Sequence, residues 1–542
     1  MTADDGATAG RGVRTAFVGG TVWAGQGAHD AEALVVSGDT VAALGRAAAD
    51  LVGQCDEVVD LAGGFLMPAF GDGHAHPMFA GLQDQGPAVA DLTRVEDVVS
   101  AVRTWAQDHP AAAWVVGAGY DPALAAGGEF DARWLDAAVP DRPVVLRASD
   151  YHTVWCNTAA LRASGVDAST PDPPLGEIVR RADGSPLGTL REWHAVDLVL
   201  DRAPAWSVAD QVAALRRAGE AMAAAGITWV QDAWVDPWMV DGYLAAARAG
   251  ALRVRTNLAL RADPDRWREQ LPWFEAVRDG VAALGHPLLA ARTVKFFADG
   301  VIESGTAAML EPYADAAHRG MPVWDADELA AAAVAVDALG LQLHVHAIGD
   351  AAVRNALDAV QRCRETNGAR DRRPVLTHLQ LVDRADLPRL AELDVVANVE
   401  LLWAQPDAVQ TELTRPRLGA RRSAEQYRYA SMVRSGVHVS AGSDWPVTPH
   451  DPLPAVQVAV TRSSPGTQDA WLPHECLEVE EALHACTAEV AYQAFADDAR
   501  GRLRVGGTAD LVLLDADPRR VPPTAIGDVA VRGTWLAGSR IA

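Results

Sequence analysis

The chain has 542 residues, and its 47 Lys and Arg against 72 Asp and Glu give a formal net charge of −25. So acidic a chain is not expected to bind nucleic acid or an anionic membrane, because both partners require basic patches. Its five cysteines are scattered and form no CxxC pair, which argues against a disulfide framework and against a cysteine zinc site.

The N-terminal stretch "MTADDGATAGRG" has neither the basic start nor the apolar run of a signal peptide. The apolar runs of the chain are all interrupted before about 18 residues, the length that a membrane span requires. We therefore expect a cytoplasmic protein that makes no contact with a membrane.

Short strands with glycine-rich turns are predicted over residues 15–66, from "TAFVGGTVWAG" to "DEVVDLAGGFLMPAF". The C-terminal stretches "GTADLVLLDADP" and "VAVRGTWLAG" show the same alternation. We therefore predict that residues 1–66 and 498–542 complete one small β-domain around the rest of the chain.

The middle of the chain, residues 67–497, alternates apolar strand-like runs with alanine-rich helical segments, which predicts a (β/α)8 barrel. The strand candidates are, in order, "FGDGHAH", "GITWVQDAW", "LRVRTNLAL", "RTVKFFADG", "LQLHVHAIGD", "PVLTHLQLV", "DVVANVELLW" and "VHVSAGSDWP". Roughly 150 residues separate the first two, too many for a loop in a compact domain. We therefore predict an inserted α/β subdomain at about residues 85–205, with its own strand "RPVVLRASD".

Residues that can bind a metal ion lie where the predicted barrel strands end, which is where reactive side chains of this fold are found. They are His74 and His76 in "GHAH", Lys295, His346, His378 and Asp444. Two imidazoles at positions i and i+2 of a strand point to one face and can share a metal ion. Each position also has a structural interpretation: His378 could be a satisfied core histidine, and Asp444 a helix cap.

The pair His344 and His346 presents a choice, because both side chains should face the barrel interior. His346 is nearer the strand end and is predicted to be the ligand, whereas His344 is predicted to be a packed or hydrogen-bonded residue of the interior.

Lys295 is the only lysine of the chain, since every other long cation is arginine. Codon bias, with this one lysine retained by accident, would explain the pattern. A chemical requirement for an amine at this position would explain it as well. A buried lysine can lose its proton and react, which arginine cannot do. Four imidazoles and one carboxylate supply little negative charge for two divalent cations. A lysine that has reacted with carbon dioxide becomes a carbamate, whose two anionic oxygens can bridge two metal ions.

Several long motifs closely resemble the amidohydrolase superfamily, and in particular its amidohydrolase-3 (YtcJ-like) branch, which includes N-substituted formamide deformylase. They are "VKFFADGVIESGTAAMLEPY", "LHVHAIGDAAV", "THLQLVDRADLPRL", "GSDWPVTPHDPL", "GTADLVLLDADP" and, in the insert, "DRPVVLRASDYHTVWCNTAAL" and "DGSPLGTLREWH". The stretch "NVELLW" departs from this resemblance, because relatives often have a Gln-Pro pair there, and it leaves the substrate open.

The resemblance implies a TIM barrel with a β-sandwich built from both termini, and a binuclear centre that usually contains zinc. It would place His74, His76 and Asp444 on one ion, His346 and His378 on the other, and carboxylated Lys295 between them. The implied activity is hydrolysis of an amide or similar C–N bond, possible substrates being N-formyl or N-acyl compounds. A metal-bridging hydroxide would attack the carbonyl carbon, with Asp444 moving the proton.

Residues of the insert and of the loops are candidates for substrate binding, although core packing is the usual role of such aromatic side chains. The candidates are Tyr120, His152, Trp155, Trp403 and Trp445, with His152 also a candidate catalytic donor to a developing oxyanion. The chain has 17 Trp against nine Phe, which favours a partly apolar or aromatic small-molecule substrate. Two alternatives remain, a deaminase of a heterocyclic amine and a non-catalytic regulatory protein. We expect the protein to form a homo-oligomer, specifically a dimer.

Overall fold

The computed structural model describes residues 13–467 and 469–542. The prediction about a signal peptide concerns residues 1–12 and lies outside the described residues. Eight parallel strands, numbered here as barrel strands 1 to 8, pair in chain order. They are Phe70–Ala75, Ile227–Val235, Arg255–Arg261, Leu289–Phe297, Gln342–Ala347, Val375–His378, Val396–Glu400 and His438–Gly442. Each overlaps a predicted stretch, and strands 2, 3 and 4 extend beyond theirs by one to three residues. The predicted TIM-like barrel is confirmed.

The last strand returns to the first through two hydrogen bonds to one carbonyl. The carbonyl oxygen of His74 accepts from the backbone N–H groups of Ser443 at 3.1 Å and Asp444 at 2.7 Å. Barrel strand 2 shows the burial typical of a strand covered on both faces, with every residue buried. The joining of strands 8 and 1 brings the loop after strand 8 against His74.

Helices connect the barrel strands and cover their outer face. In chain order they are Pro77–Gln83, Val208–Ala224, Val240–Arg248, Trp267–Leu284, Ala326–Ala338, Asp350–Asn367, Leu387–Glu392, Arg415–Ser423, Tyr429–Arg434, Pro452–Thr461, Val479–Ala485 and Ala488–Gln493. Local sequence explains their ends. Val208–Ala224 begins at a capping box, in which the Ser207 hydroxyl accepts from the N–H of Asp210 at 3.2 Å and the Asp210 carboxylate accepts from the N–H of Ser207 at 3.1 Å.

The predicted insert has a five-stranded sheet of its own between barrel strands 1 and 2. Across this sheet the strands follow the order Glu177–Arg180, Pro186–Arg191, Thr153–Cys156, Val144–Ala148 and Val115–Tyr120. Its helices are Val95–Asp108, Ala132–Asp136, Thr158–Ala163 and Trp193–Leu200. The predicted strand "RPVVLRASD" corresponds to Val144–Ala148, with Val144 and Leu146 in a separate apolar core.

Both ends of the chain build one sheet, as predicted. Its strands are Arg14–Val22, Ala31–Ser37, Thr40–Leu44, Glu57–Asp60 and Phe65–Pro68 from the N-terminal side, and Leu511–Leu514, Val531–Leu536 and Ser539–Arg540 from the C-terminal side. A short helix, Arg46–Ala49, packs beside it. The two ends meet where Phe65–Pro68 pairs antiparallel with Leu511–Leu514.

In the part of the chain that the structure describes, no helix combines the length and the apolarity that crossing a bilayer requires.

Candidate metal centre

The carboxyl ends of the barrel strands bring predicted ligand residues into one buried cluster. His74 lies near the end of strand 1, Lys295 on strand 4, His378 at the end of strand 6 and Asp444 just after strand 8. Their side chains are between 0% and 6% exposed. Residues far apart in the chain meet here because parallel strands of a barrel end at the same rim.

A first group of side chains that could hold a metal ion consists of His74, His76 and Asp444, whose ligand atoms all lie within 4.8 Å of one another. Asp444 Oδ1 is 2.8 Å from His76 Nε2 and 3.4 Å from His74 Nε2. Burial opposes the charge on Asp444, but the two imidazoles hold its pKa well below the usual range. An ionised carboxylate beside two imidazoles is a donor set that suits zinc.

A second such group consists of His74, His378 and Glu400. His378 Nδ1 lies 2.9 Å from Glu400 Oε2, and both side chains are buried. His74 belongs to both groups, so the two candidate cation positions adjoin each other. His74 Nδ1 lies 2.8 Å from His344 Nε2, so His74 has Nε2 for an ion at one of the two positions.

Buried ligand atoms without a hydrogen-bond partner indicate that these residues are suited to bind a metal ion. Asp444 Oδ1, Glu400 Oε2 and His378 Nδ1 are buried and have no hydrogen-bond partner among the described residues, despite the short distances between them. A buried polar group left unpaired costs about 1–3 kcal/mol, and more if it is charged. A divalent cation in the first group would satisfy Asp444 Oδ1, and one in the second group would satisfy the other two atoms.

Unusual backbone conformations position two of these ligands. His378 has φ of 73° and Asp444 has φ of 56°, in the left-handed region that residues other than glycine rarely adopt. Such a conformation costs about 1–3 kcal/mol per residue and persists where the surroundings enforce it. At Asp444 the backbone hydrogen bond to His74 described above contributes to that enforcement.

Lys295 lies inside the same cluster. Its Nζ is 3.5 Å from His74 Nε2 and 4.6 Å from the centre of the Phe297 ring, and the side chain is fully buried. Burial lowers the pKa of Lys295 to about 7, because water no longer solvates its charge. The amine is therefore available in its neutral, nucleophilic form near neutral pH.

The two histidines of barrel strand 5 occupy different layers. His344 pairs in register with Lys295 and its Nε2 lies 2.8 Å from His74 Nδ1, which fits the predicted hydrogen-bonded interior residue. His346 lies one layer nearer the rim, with its ring 4.5 Å from that of His378. Its Nε2 is 3.1 Å from the carbonyl oxygen of Gly300, which leaves Nδ1 as the nitrogen for a metal ion. The candidate group around His378 contains Glu400 instead of His346.

Two buried carboxylates escaped the sequence analysis. Glu400 ends barrel strand 7 inside "NVELLW", and Asp232 lies on strand 2 with Oδ1 3.9 Å from His76 Nδ1. Both are fully buried. An acidic residue late in an otherwise apolar barrel strand is the signal that could have identified them. The centre therefore has more carboxyl side chains than the single one counted from the sequence.

A cavity of about 120 Å3 lies against the cluster, and His152 and Trp403 are among the residues that line it. The Trp403 ring stacks on that of His378, with centres 5.2 Å apart and planes at 3°. Its Nε1 donates to the Thr448 hydroxyl at 3.2 Å. The structure thus places these two predicted substrate-binding residues beside the candidate metal ligands.

His152 is held by a carboxylate that the sequence analysis did not single out. Its Nδ1 lies 2.9 Å from Glu192 Oε2, and the Thr306 hydroxyl donates to the other oxygen of Glu192. Burial works against a charge on His152, but Glu192 raises the pKa of the imidazole to about 9. Because Nδ1 faces Glu192, Nε2 is the atom left to donate into the cavity.

The other three predicted substrate-binding residues lie elsewhere. Tyr120 and Trp155 are fully buried in the core of the insert, with ring centres 5.8 Å apart. Trp445 is half-buried and its ring lies 4.4 Å from that of His450. None of the three lines the cavity in the described residues. The insert needs an apolar core of its own, and its large aromatic side chains supply it.

Comparisons with known proteins agree with this architecture. Residues 57–542 match the profile of the Amidohydrolase family (Amidohydro_3). The chain is 30% identical to Protein LONG AFTER FAR-RED 3 of Arabidopsis thaliana, over 86% of this chain and 80% of that protein. It is 29% identical to YtcJ of Bacillus subtilis (strain 168), over 89% of this chain and 90% of that protein. Identity to the N-substituted formamide deformylase of Arthrobacter pascens is 26%, over 94% of each chain.

A solved structure shows the same fold. The crystal structure of an uncharacterized metal-dependent hydrolase from Pyrococcus furiosus superposes with a TM-score of 0.71 at 26% identity, covering 94% of this chain and 100% of that one. The family profile spans most of the chain, and the barrel carries buried His, Asp and Glu groups suited to a metal. The chain therefore belongs to the amidohydrolase family, in its amidohydrolase-3 (YtcJ-like) branch.

Proposed function

We propose that the protein is a metal-dependent hydrolase that cleaves the C–N bond of a small amide, an N-formyl or N-acyl compound with an apolar or aromatic group. One observation carries the proposal: two candidate ligand groups share His74 and lie against a cavity. The similarity to a relative named for deformylation of N-substituted formamides supports the choice of bond.

The residues that would hold the metal ions, zinc in this proposal, are His74, His76, Asp444, His378 and Glu400, with His346 Nδ1 as a further donor. When bound, the ions would supply Lewis-acid chemistry, polarising a carbonyl and lowering the pKa of water towards about 7. Lys295 in its neutral form would attack carbon dioxide, form an N–C bond and lose a proton to become a carbamate. The carbamate would add two anionic oxygens to the ligand set of imidazoles and carboxylates.

Asp444 and His152 would move and stabilise charge during hydrolysis. Asp444 Oδ1 faces the two imidazoles, which leaves Oδ2 to take a proton from the attacking water and return it to the departing amine. His152 would donate from Nε2 to the substrate carbonyl oxygen, whose negative charge grows as the tetrahedral intermediate forms. Glu192 keeps that imidazole oriented by holding Nδ1.

The size of the cavity favours a small acyl group. Its volume is about 120 Å3, whereas pockets for drug-sized ligands span about 300–1,000 Å3. We therefore expect a short acyl group, such as formyl or acetyl, at this position.

The proposed function is tested by hydrolysis of a panel of N-formyl and N-acetyl derivatives of benzylamine and phenethylamine. We expect the as-purified enzyme to release the free amine, and we expect Asp444→Asn to retain the fold but not this activity. Elemental analysis should find about two metal ions per chain, as the ligand groups require. About one ion, with ammonia released from heterocyclic amines, would instead identify a deaminase. A chain without metal or turnover would identify a non-catalytic protein.

We expect His152→Ala to reduce kcat/KM for such an amide by more than about tenfold, the scale for losing a donor to a developing oxyanion. The measurement is steady-state kinetics with metal content checked in parallel. His109→Ala is the matched control, because His109 is an exposed histidine of the insert that stacks on Trp105. An unchanged kcat/KM in His152→Ala would mean that the histidine only packs.

A further inference from the structure

A second and larger cavity, of about 720 Å3, lies between the insert and the barrel. Tyr151 and Trp234 line both this cavity and the smaller one at the metal centre, so the two spaces adjoin. Trp193, Trp206 and Trp238 add further aromatic surface. A molecule whose amide lies at the metal centre would therefore extend an apolar body into this larger space.

Arg147 faces this cavity from the insert strand Val144–Ala148. Its guanidinium carbon lies 5.2 Å from the centre of the Tyr151 ring, 5.5 Å from Trp234 and 5.7 Å from Phe79. Among the residues that the structure describes, no carboxylate lies within 4.0 Å of it, and its buried Nε has no hydrogen-bond partner. The aromatic contacts thus hold a cation that has no described carboxylate at ion-pair distance, while Asp197 and Asp236 act on it from further away.

Arg261, the other arginine that lines this cavity, does have a carboxylate partner. Arg261 Nε lies 2.6 Å from Asp236 Oδ1, which is the ordinary arrangement for a half-buried arginine. Burial lowers the pKa of Arg147, because removing the guanidinium from water disfavours its charge. Cation–π contacts offset part of that cost but satisfy none of the five N–H donors. A planar carboxylate matches those donors by accepting two parallel hydrogen bonds.

We propose that the larger cavity binds the apolar or aromatic body of the substrate and that Arg147 pairs with a single carboxylate carried on that body. This proposal rests on the proposed function, because it treats the bound molecule as a substrate of the hydrolase. It names the substrate class as N-acyl or N-formyl compounds of aromatic or apolar amino acids. Arg147 is then a specificity-determining residue.

The acidic residues of the cavity limit this site to one negative charge. Asp197, Asp201 and Asp241 line the same space and have no ion-pair partner within 4.0 Å among the described residues. A second anionic group on the substrate would meet one of these carboxylates without a cation to compensate. A monocarboxylate fits the site, and a dicarboxylate or a phosphate does not.

The test compares 3-phenylpropanoate with the uncharged 3-phenylpropan-1-ol, which has no bond to hydrolyse, as binding probes for the as-purified, full-length protein. Isothermal titration calorimetry measures both, and neither needs to be hydrolysed. We expect the carboxylate to bind at least about tenfold more tightly to the wild type, the scale of a hydrogen-bonded charge pair. Arg147→Met should abolish that difference, while Arg133→Met, a control at an insert arginine that is 68% exposed, should keep it.

Equal affinity of the two probes for the wild type would overturn the proposal. So would a carboxylate preference that survives in Arg147→Met, because the carboxylate would then be bound elsewhere, for example at the metal ions. If Arg147→Met does not fold, Arg147→Gln, which keeps length and hydrogen bonding without the charge, is expected to lose the preference and decides the question. Since the probes are not substrates, a protein that fails to hydrolyse amides but shows this Arg147-dependent preference would contradict only the proposed function.

Discussion

Replacing Lys295 with arginine is expected to abolish both metal binding and turnover. Arginine is the substitute that this chain accepts at every other position needing a long cation, so a purely cationic role would survive the change. In the proposed centre a permanent positive charge would instead lie against the metal ions. At about 4 Å and an effective dielectric constant near 20, the repulsion is about 4 kcal/mol for each unit of charge on the ion, so a divalent ion would lose at least about a thousandfold in affinity.

Two measurements test this prediction. Elemental analysis gives the metal content, and hydrolysis of an N-formyl amide gives the activity. Arg292→Lys is the matched control, because Arg292 is an exposed residue of the same barrel strand and its exchange should change neither quantity. Lys295→Ala should also be inactive but should regain part of its activity with added formate or propionate, whose carboxylate can replace the carbamate. The wild-type enzyme should show three additional atoms on Nζ in crystallographic density. A fully active Lys295→Arg enzyme would refute the carbamate.

Replacing His74, His76 or Glu400 should remove one metal ion in each case. The reason is that His76 belongs to the first candidate group and Glu400 to the second, while His74 has only Nε2 free, since its Nδ1 lies 2.8 Å from His344 Nε2, and one nitrogen binds one ion at a time. We expect about one ion per chain in His74→Ala, His76→Ala and Glu400→Gln. Turnover should fall below detection in His74→Ala.

The control for this series is His438→Ala. His438 is 40% exposed, lies at the other end of barrel strand 8 and pairs with Glu489 at 2.8 Å. Its loss should leave metal content and activity unchanged. Circular dichroism should show that every variant is folded. Two ions retained in His74→Ala, or one ion in the wild type at saturating metal, would show that the two groups do not form a binuclear centre.

Local pattern was enough to identify the barrel and part of its centre. The apolar strand candidates alternate with helical segments, and five of the eight carry candidate ligands near their ends, so the order of the barrel strands follows from the chain order. The spacing of His74 and His76 predicts that both side chains point to one face of a strand. The single lysine stood out by composition alone. These signals are local, because strand alternation and chain order are visible in the sequence.

Only the tertiary structure showed which side chains meet across strands and domains. Glu400 lies near His378 because strands 6 and 7 pair in a definite register. In the sequence, nothing in the stretch "NVELLW" connects this glutamate with His378. Glu192 reaches His152 across 40 positions of the chain, and Arg147 is unpaired because no carboxylate of the described residues lies within 4.0 Å of it. Tyr120 and Trp155 looked like pocket residues but pack in the core of the insert. The physical reason is that contacts between distant residues depend on strand register, on the docking of the insert and on burial, which sequence spacing does not contain.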